Sequence, residues 1–260
     1  MAETFEGYRY KTSHGRIAGS SHAKVNTPCQ DYAAVRNHPE FGCIALADGA
    51  GSRSKSEYGA QTVVKTVNRL LAQKFDDLWA KAETDPAAAV QDVLSHCLIA
   101  LQREAKQQQC TLSDLASTLL FVAHSKGRFL AGHLGDGFIA QLKDDGSIVA
   151  LTHPDNGEYA NTTVFVTDLS ASSRMRLYKG ESGHLSAFAI MSDGTAESLY
   201  LRSTKTPAQD GLKRLFDWNS SLTSGRMKKV IRLNLEQNFA RKTSDDCSIA
   251  ILGFSPVVGR

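Results

Sequence analysis

The stretch STLLFVAHSKGRFLAGHLGDGFIAQLKDDGSIVAL, Ser117 to Leu151, decides the fold. It holds four short segments, Ser117–Ala123, Arg128–His133, Phe138–Leu142 and Ser147–Leu151. Lys126-Gly127, Gly135-Asp136-Gly137 and Asp144-Asp145-Gly146 separate them. Apolar segments of strand length cut by Gly-containing turns predict an antiparallel meander. Asp145-Gly146 is the sharpest hairpin signal, because a tight turn between twisted strands needs residues that tolerate positive φ.

Working outward, the upstream run Phe41-Gly-Cys-Ile-Ala-Leu-Ala47 reads as a buried strand ending at Asp48-Gly49, and Arg16–Ser20 as a weak strand. Ser54–Phe75 carries Val63, Val64, Val67, Leu70, Leu71 and Phe75 at helical spacing. A second helix opens with Asp85 as cap and Pro86 in its first turn, where the missing N–H costs nothing. Downstream, a polar stretch His153–Asn161 precedes expected strands at Thr163–Thr167 and Leu185–Met191. Helical segments follow at Ala208–Phe216 and Ser224–Phe239, then a last strand at Cys247–Leu252. Helices lying between two sets of hairpin-linked strands indicate α+β layers, not a βαβ order. With no Pro- or Gly-rich linker and no internal repeat, residues 1–260 read as a single domain.

Composition narrows the function classes. The 260 residues include 30 basic and 27 acidic ones, a formal charge of +3, which is too balanced for a nucleic-acid binder. Arg226-Met227-Lys228-Lys229 reads as a solvated helix face. The five cysteines form no CxxC pair, so neither a disulfide framework nor a zinc site is expected. No apolar run is long enough for a membrane span, and the first eleven residues lack a leader pattern. The expectation is a cytoplasmic, monomeric protein.

The chemistry lies in a repeated pattern, an apolar strand running directly into an acid. It occurs at Ile44–Asp48-Gly49, at Ala187–Asp193-Gly194, as a variant at Leu134-Gly-Asp136-Gly137, and in mirror form where Asp245-Asp246 open the last strand. A strand end holds a side chain rigidly, and a following Gly lets the chain turn and a ligand approach. Any one Asp-Gly is ordinary turn punctuation, as at Asp145-Gly146. Several on different strands imply carboxylates that gather around a cation, and oxygen-only ligands suit magnesium, manganese or calcium.

In order and spacing, Asp48-Gly-Ala-Gly-Ser52, Ser117-Thr-Leu-Leu120, Gly135-Asp-Gly137, Ser192-Asp-Gly194 and Asp245-Asp-Cys-Ser248 resemble the type 2C protein phosphatases. Ser21-His22 with Asn26-Thr-Pro-Cys-Gln-Asp31, and Asn156-Gly-Glu-Tyr-Ala-Asn161 in a flap-like region, resemble the bacterial branch of that family. The resemblance runs from about His22 to Leu252. It implies a four-layer αββα sandwich, two antiparallel sheets flanked by helices, with two manganese or magnesium ions in a cleft at one end. By the same resemblance Asp48 bridges the ions, the Gly49 carbonyl helps hold one, and Asp193 and Asp245 ligate the other. Asp136 takes a third, weaker ion, and Asp31 supports the site through water. The implied reaction is hydrolysis of phosphoserine or phosphothreonine in the substrate of a protein kinase, by a metal-activated water. No Cys is followed by Arg at the spacing of a Cys-x5-Arg phosphatase loop.

The chain departs from the family at three positions. Gln30 stands where many members carry Glu, Asn26 where they carry a phosphate-gripping Arg, and Ala50 where eukaryotic members carry a His. His22, Asn26, Arg53 and Lys24 are therefore the candidates for contact with the substrate phosphate. These departures motivate an alternative, a catalytically weakened relative that binds phosphoproteins as a scaffold. A two-metal nuclease is the third reading, and the charge balance opposes it. Thr118, Trp79 and Trp218 read as packing residues, and Cys29 and Cys247 as residues near the site.

Overall fold

The computed structural model describes residues 5–155 and 163–258. The flap-like segment Asn156–Asn161 lies outside the described residues. Two five-stranded antiparallel sheets pack face to face. The first holds, in spatial order, β1 (Phe5–Ile17), β12 (Cys247–Val258), β9 (Leu185–Met191), β6 (Phe138–Lys143) and β7 (Ile148–Thr152). The second holds β2 (Tyr32–His38), β3 (Phe41–Ala47), β4 (Leu119–Ser125), β5 (Arg128–Leu134) and β8 (Arg176–Glu181). Helices α2 (Ser56–Thr84) and α3 (Pro86–Gln108) cover the second sheet. Helices α5 (Asp193–Leu199), α6 (Gln209–Ser221) and α7 (Ser224–Asn234) cover the first. Short helices α1 (Ser20–Lys24) and α4 (Ala171–Arg174), a 3-10 turn (Leu112–Leu115), a π-helical turn (Leu235–Phe239) and a small hairpin of β10 (Tyr200–Leu201) with β11 (Thr206–Pro207) complete the elements among the described residues. This is the expected αββα sandwich.

Strand alternation explains the layers. On β3, Cys43, Ala45 and Ala47 turn toward the helices, whereas Ile44 and Leu46 turn toward the opposite sheet. Small residues on one face let α2 approach closely, and large ones on the other fill the space between the sheets. Ile139, Phe188, Ile190, Ala250 and Leu252 meet them from the first sheet. Phe121, Phe138 and Phe188 are fully buried, each contributing about 1.5–3 kcal/mol relative to exposure. At the pole where β4 ends, His124 bonds Tyr10 Oη through Nδ1 (2.9 Å) and Ser182 Oγ through Nε2 (2.7 Å). It also stacks on Phe254, with ring centroids 4.0 Å apart. Burial pushes its pKa down to about 3.

The helix caps follow the sequence. Asp85 Oδ1 accepts the Ala88 amide at 2.9 Å, and Pro86 opens α3. Helix α2 runs past Phe75 to Thr84, with a break in helical geometry at Lys74. Two expectations are corrected. Thr163–Thr167 forms no strand, although it is rich in β-branched residues, because no neighbouring strand pairs with it. The meander is also interrupted: β4 and β5 form a hairpin in one sheet and β6 and β7 a hairpin in the other. Gly135-Asp136-Gly137 is the crossing between the two sheets, which places an acid at the mouth of the sandwich.

Candidate active site

Five carboxylates converge at the pole where β3 and β5 end and β12 begins. Asp48 follows β3, Asp31 precedes β2, Asp136 sits in the crossing, Asp193 opens α5 after β9, and Asp245 precedes β12. Thr118 fixes the first of them. Its Oγ1 accepts the Asp48 amide at 2.9 Å and its own amide donates to the Asp48 carbonyl at 2.8 Å. Gly135, at φ +112°, packs against the same side chain, and a Cβ there would meet Thr118 Cγ2 at 2.5 Å. The Gly135 carbonyl accepts from His133 Nε2 (2.8 Å) and from the Asp155 amide (3.2 Å). His133 Nδ1 in turn accepts from Thr152 Oγ1 at 2.6 Å, so the hydrogen bonds select one tautomer.

The electrostatics are those of anions without a counterion. Burial raises the Asp31 carboxyl to about 6, and Asp246 adds to the rise. Asp193 rises to about 7 through burial and then through Asp136, Asp245 and Asp31. Asp48 stands well above the carboxylate range through burial and then through Asp31, Asp193 and Asp136. Asp136 is raised by burial and Asp245, while Thr163 Oγ1, donating to Oδ2 at 2.5 Å, and Arg202 pull it back. Both oxygens of Asp31 and Oδ1 of Asp136 are buried without a hydrogen-bond partner. The Ser192 and Ser248 hydroxyls lie close enough to moderate the Asp31 carboxyl, though not in the geometry of full hydrogen bonds.

These donors fit a hard divalent ion. Among the described residues no three Asp, Glu, His or Cys side chains stand close enough to enclose an ion unaided. That is compatible with magnesium or manganese, which keep several waters and take only one or two carboxylates each. The unpaired buried oxygens and the mutual repulsion are what a cation would relieve.

The structure separates the neighbouring acids 245 and 246. Asp245 is exposed and contributes to the cluster's field. Asp246 is buried and accepts from the Gly19 amide (2.7 Å), the Gln30 amide (2.6 Å) and His22 Nδ1 (2.9 Å). His22 is thereby held in the scaffold. Asn26 lies at φ 54° in the turn after α1, and Arg53 and Lys24 are exposed. The Gln30 side chain donates to the Arg53 carbonyl at 3.3 Å, while its Oε1 is buried without a partner. Ala50 is buried, its amide donating to the Ala116 carbonyl at 3.0 Å. Sequence reasoning missed Arg202 on the β10–β11 hairpin, which Tyr200 ties to the site by a 2.7 Å bond with His153 and ring contact with Phe138.

A sequence model of the family Protein phosphatase 2C matches residues 18–236. The chain belongs to that family. Asp245 and Asp246 lie beyond the matched residues. Family membership makes the chain a protein serine/threonine phosphatase. It is 28% identical over 195 residues to serine/threonine-protein phosphatase 3 of Escherichia coli K12, covering 71% of this chain and 73% of that protein. Solved structures share the fold. Stp1 of Staphylococcus aureus is 14% identical with a TM-score of 0.62, covering 97% of this chain and 98% of that one. The catalytic domain of PstP, solved with two manganese ions, is 18% identical with a TM-score of 0.60, covering 95% and 99%. Among the described residues of the phosphatase, no helix is long and apolar enough to cross a membrane.

Proposed function

We propose that the phosphatase hydrolyses phosphoserine and phosphothreonine in protein substrates with two manganese or magnesium ions held by Asp48, the Gly49 carbonyl, Asp193 and Asp245. Asp136 holds a third, weaker ion and Asp31 supports the set through water. The observation that carries this reading is the crowd of carboxylates with raised pKa values and buried, unpaired oxygens at Asp31 and Asp136. When bound, the ions acidify water near neutral pH and offset the charge of the phosphate and of the transition state.

The chain's own residues do the positioning. Thr118 holds the Asp48 backbone by both of its polar groups. Asp246 ties the strand that follows Asp245 to the loop ahead of Asp31, so ligands far apart in sequence keep one spacing. Arg53, on the loop after Asp48-Gly49, and Arg202, beside Asp136, supply positive charge for the phosphate at the rim, with Asn26 and His22 nearby in the first motif. Hydrolysis of a phosphoserine peptide with added manganese tests the reading. Turnover that a chelator abolishes and Asp193→Ala removes is expected; turnover indifferent to both would refute it.

A second reading, a phosphoprotein-binding relative with weakened chemistry, is favoured by Gln30, an uncharged side chain whose buried Oε1 has no partner. It predicts manganese uptake without turnover in the same assay.

A further inference from the structure

Apart from the carboxylate cluster, α5, α6 and the π-helical turn Leu235–Phe239 border a cavity of about 560 Å3. Arg214, Arg241 and Lys242 line it together with Trp218, and none of its lining residues is acidic. Among the described residues none of these three cations has an ion-pair partner. Acids on the neighbouring helical turns are already engaged: Asp217 pairs with Lys213 at 3.5 Å and Glu236 with Arg232 at 2.7 Å. Asp210 and Glu197, exposed on α6 and α5, do not line the cavity. Three like charges around one hollow repel each other, and an anionic guest relieves that repulsion.

Two further features mark the hollow. Ser198 contributes a buried hydroxyl with no hydrogen-bond partner. One wall is a π-helical turn, a rare conformation that concentrates at functional sites, and it supplies Asn238. The hollow is also joined to the cluster by two short pieces of chain. Helix α5 begins at Asp193 and ends at the lining residue Leu199. Residues 241–245 run from Arg241 and Lys242 to Asp245. A helix of that length spans about 9 Å, a distance an extended peptide covers in roughly three residues.

We propose that this hollow docks an acidic stretch of the substrate polypeptide, its Asp and Glu carboxylates pairing with Arg214, Arg241 and Lys242 while the phosphorylated residue lies at the carboxylate cluster. Guanidinium forks match carboxylates in geometry as well as charge, and Trp218 gives the segment an apolar surface to lie on. A small free anion would leave most of the volume unfilled. The proposal rests on the phosphatase reading above, and it sets a preference for acidic residues roughly three to five positions from the phosphorylated one.

The test is fluorescence anisotropy with two labelled phosphoserine peptides, one with a Glu block at that spacing and one with Gln in its place. Each peptide carries the non-hydrolysable phosphonate analogue of phosphoserine, and manganese is present to offset its charge at the cluster, so binding is read without turnover and the result stands even if hydrolysis is never observed. The wild type is expected to bind the Glu peptide roughly tenfold more tightly than the Gln peptide at low salt. Arg214→Glu, an exposed position, is expected to abolish that difference while leaving hydrolysis of p-nitrophenyl phosphate unchanged in a separate manganese assay. Equal binding of the two peptides by the wild type would overturn the proposal. So would an undiminished preference in both Arg214→Glu and the double variant Arg241→Ala with Lys242→Ala.

Discussion

Thr118 and Asp48 exchange two hydrogen bonds, the Asp48 amide to Thr118 Oγ1 at 2.9 Å and the Thr118 amide to the Asp48 carbonyl at 2.8 Å. The hydroxyl is the one contact in this pair that a side-chain change can remove. Thr118→Val keeps the shape but leaves the Asp48 amide unsatisfied, which costs about 1–3 kcal/mol. Thr118→Ser keeps the acceptor. The valine variant is expected to lose both urea resistance and turnover, with the serine variant close to wild type in both. Equal losses in the two would mean that the methyl group, packed on Gly135, matters as much as the hydroxyl.

Removing a site carboxylate should strengthen the metal-free fold. Asp48 lies in the field of Asp31, Asp193 and Asp136, and folding forces these charges together. Asp48→Asn is therefore expected to raise the metal-free Tm. It should also erase the Tm rise that manganese gives the wild type, which at about 100 times Kd corresponds to roughly 2.7 kcal/mol. Thermal scans with and without manganese read both effects.

Asp246 answers to a different measurement. Asp246→Ala strands the Gly19 and Gln30 amides in the interior, at about 1–3 kcal/mol each. Asp246→Asn keeps an acceptor oxygen and should recover part of the loss. Urea midpoints measured without metal should fall in the order wild type, Asn, Ala. An unchanged midpoint in Asp246→Ala would show that the loop ahead of Asp31 is held by other contacts.

Acid stability follows from His124. Its folded pKa is about 3, below the ordinary value, so between pH 6.5 and 3 the unfolded chain binds a proton that the folded chain does not. Stability from this group is therefore complete above about pH 6.5 and falls as the pH drops through that window. From pH 7 to pH 5 the wild type is expected to lose about 2 kcal/mol more than His124→Asn, read from urea midpoints. The difference between the two proteins cancels the titration of the site carboxylates. Parallel losses would contradict the assignment.

The central strands were legible because their burial is written as apolar runs. Leu185–Met191 is β9 residue for residue, and Phe41–Ala47 is β3. The edge strands β2 and β8 were not, and of β1 only Arg16 and Ile17 fall within the expected Arg16–Ser20, since partly exposed residues leave no apolar run to read. Periodicity also cannot say which sheet a strand joins, so in the sequence the crossing at Gly135–Gly137 is indistinguishable from one more hairpin turn. At the site, the acids ending apolar strands could be picked out in advance. Asp246 could not be assigned its role, because its chemistry equals that of Asp245 and only packing makes one buried and the other exposed. Arg202 carried no signal, being one exposed cation among many until the His153–Tyr200 bond tied its hairpin to the site.

Calorimetric titration of the metal-free protein with manganese, run on the wild type and on Asp48→Ala, bears most directly on the carboxylate cluster as a metal centre. Saturable uptake of at least two ions by the wild type, with most of that heat lost in Asp48→Ala, is the predicted result. No saturable uptake by the wild type, or the same uptake by both proteins, would contradict it.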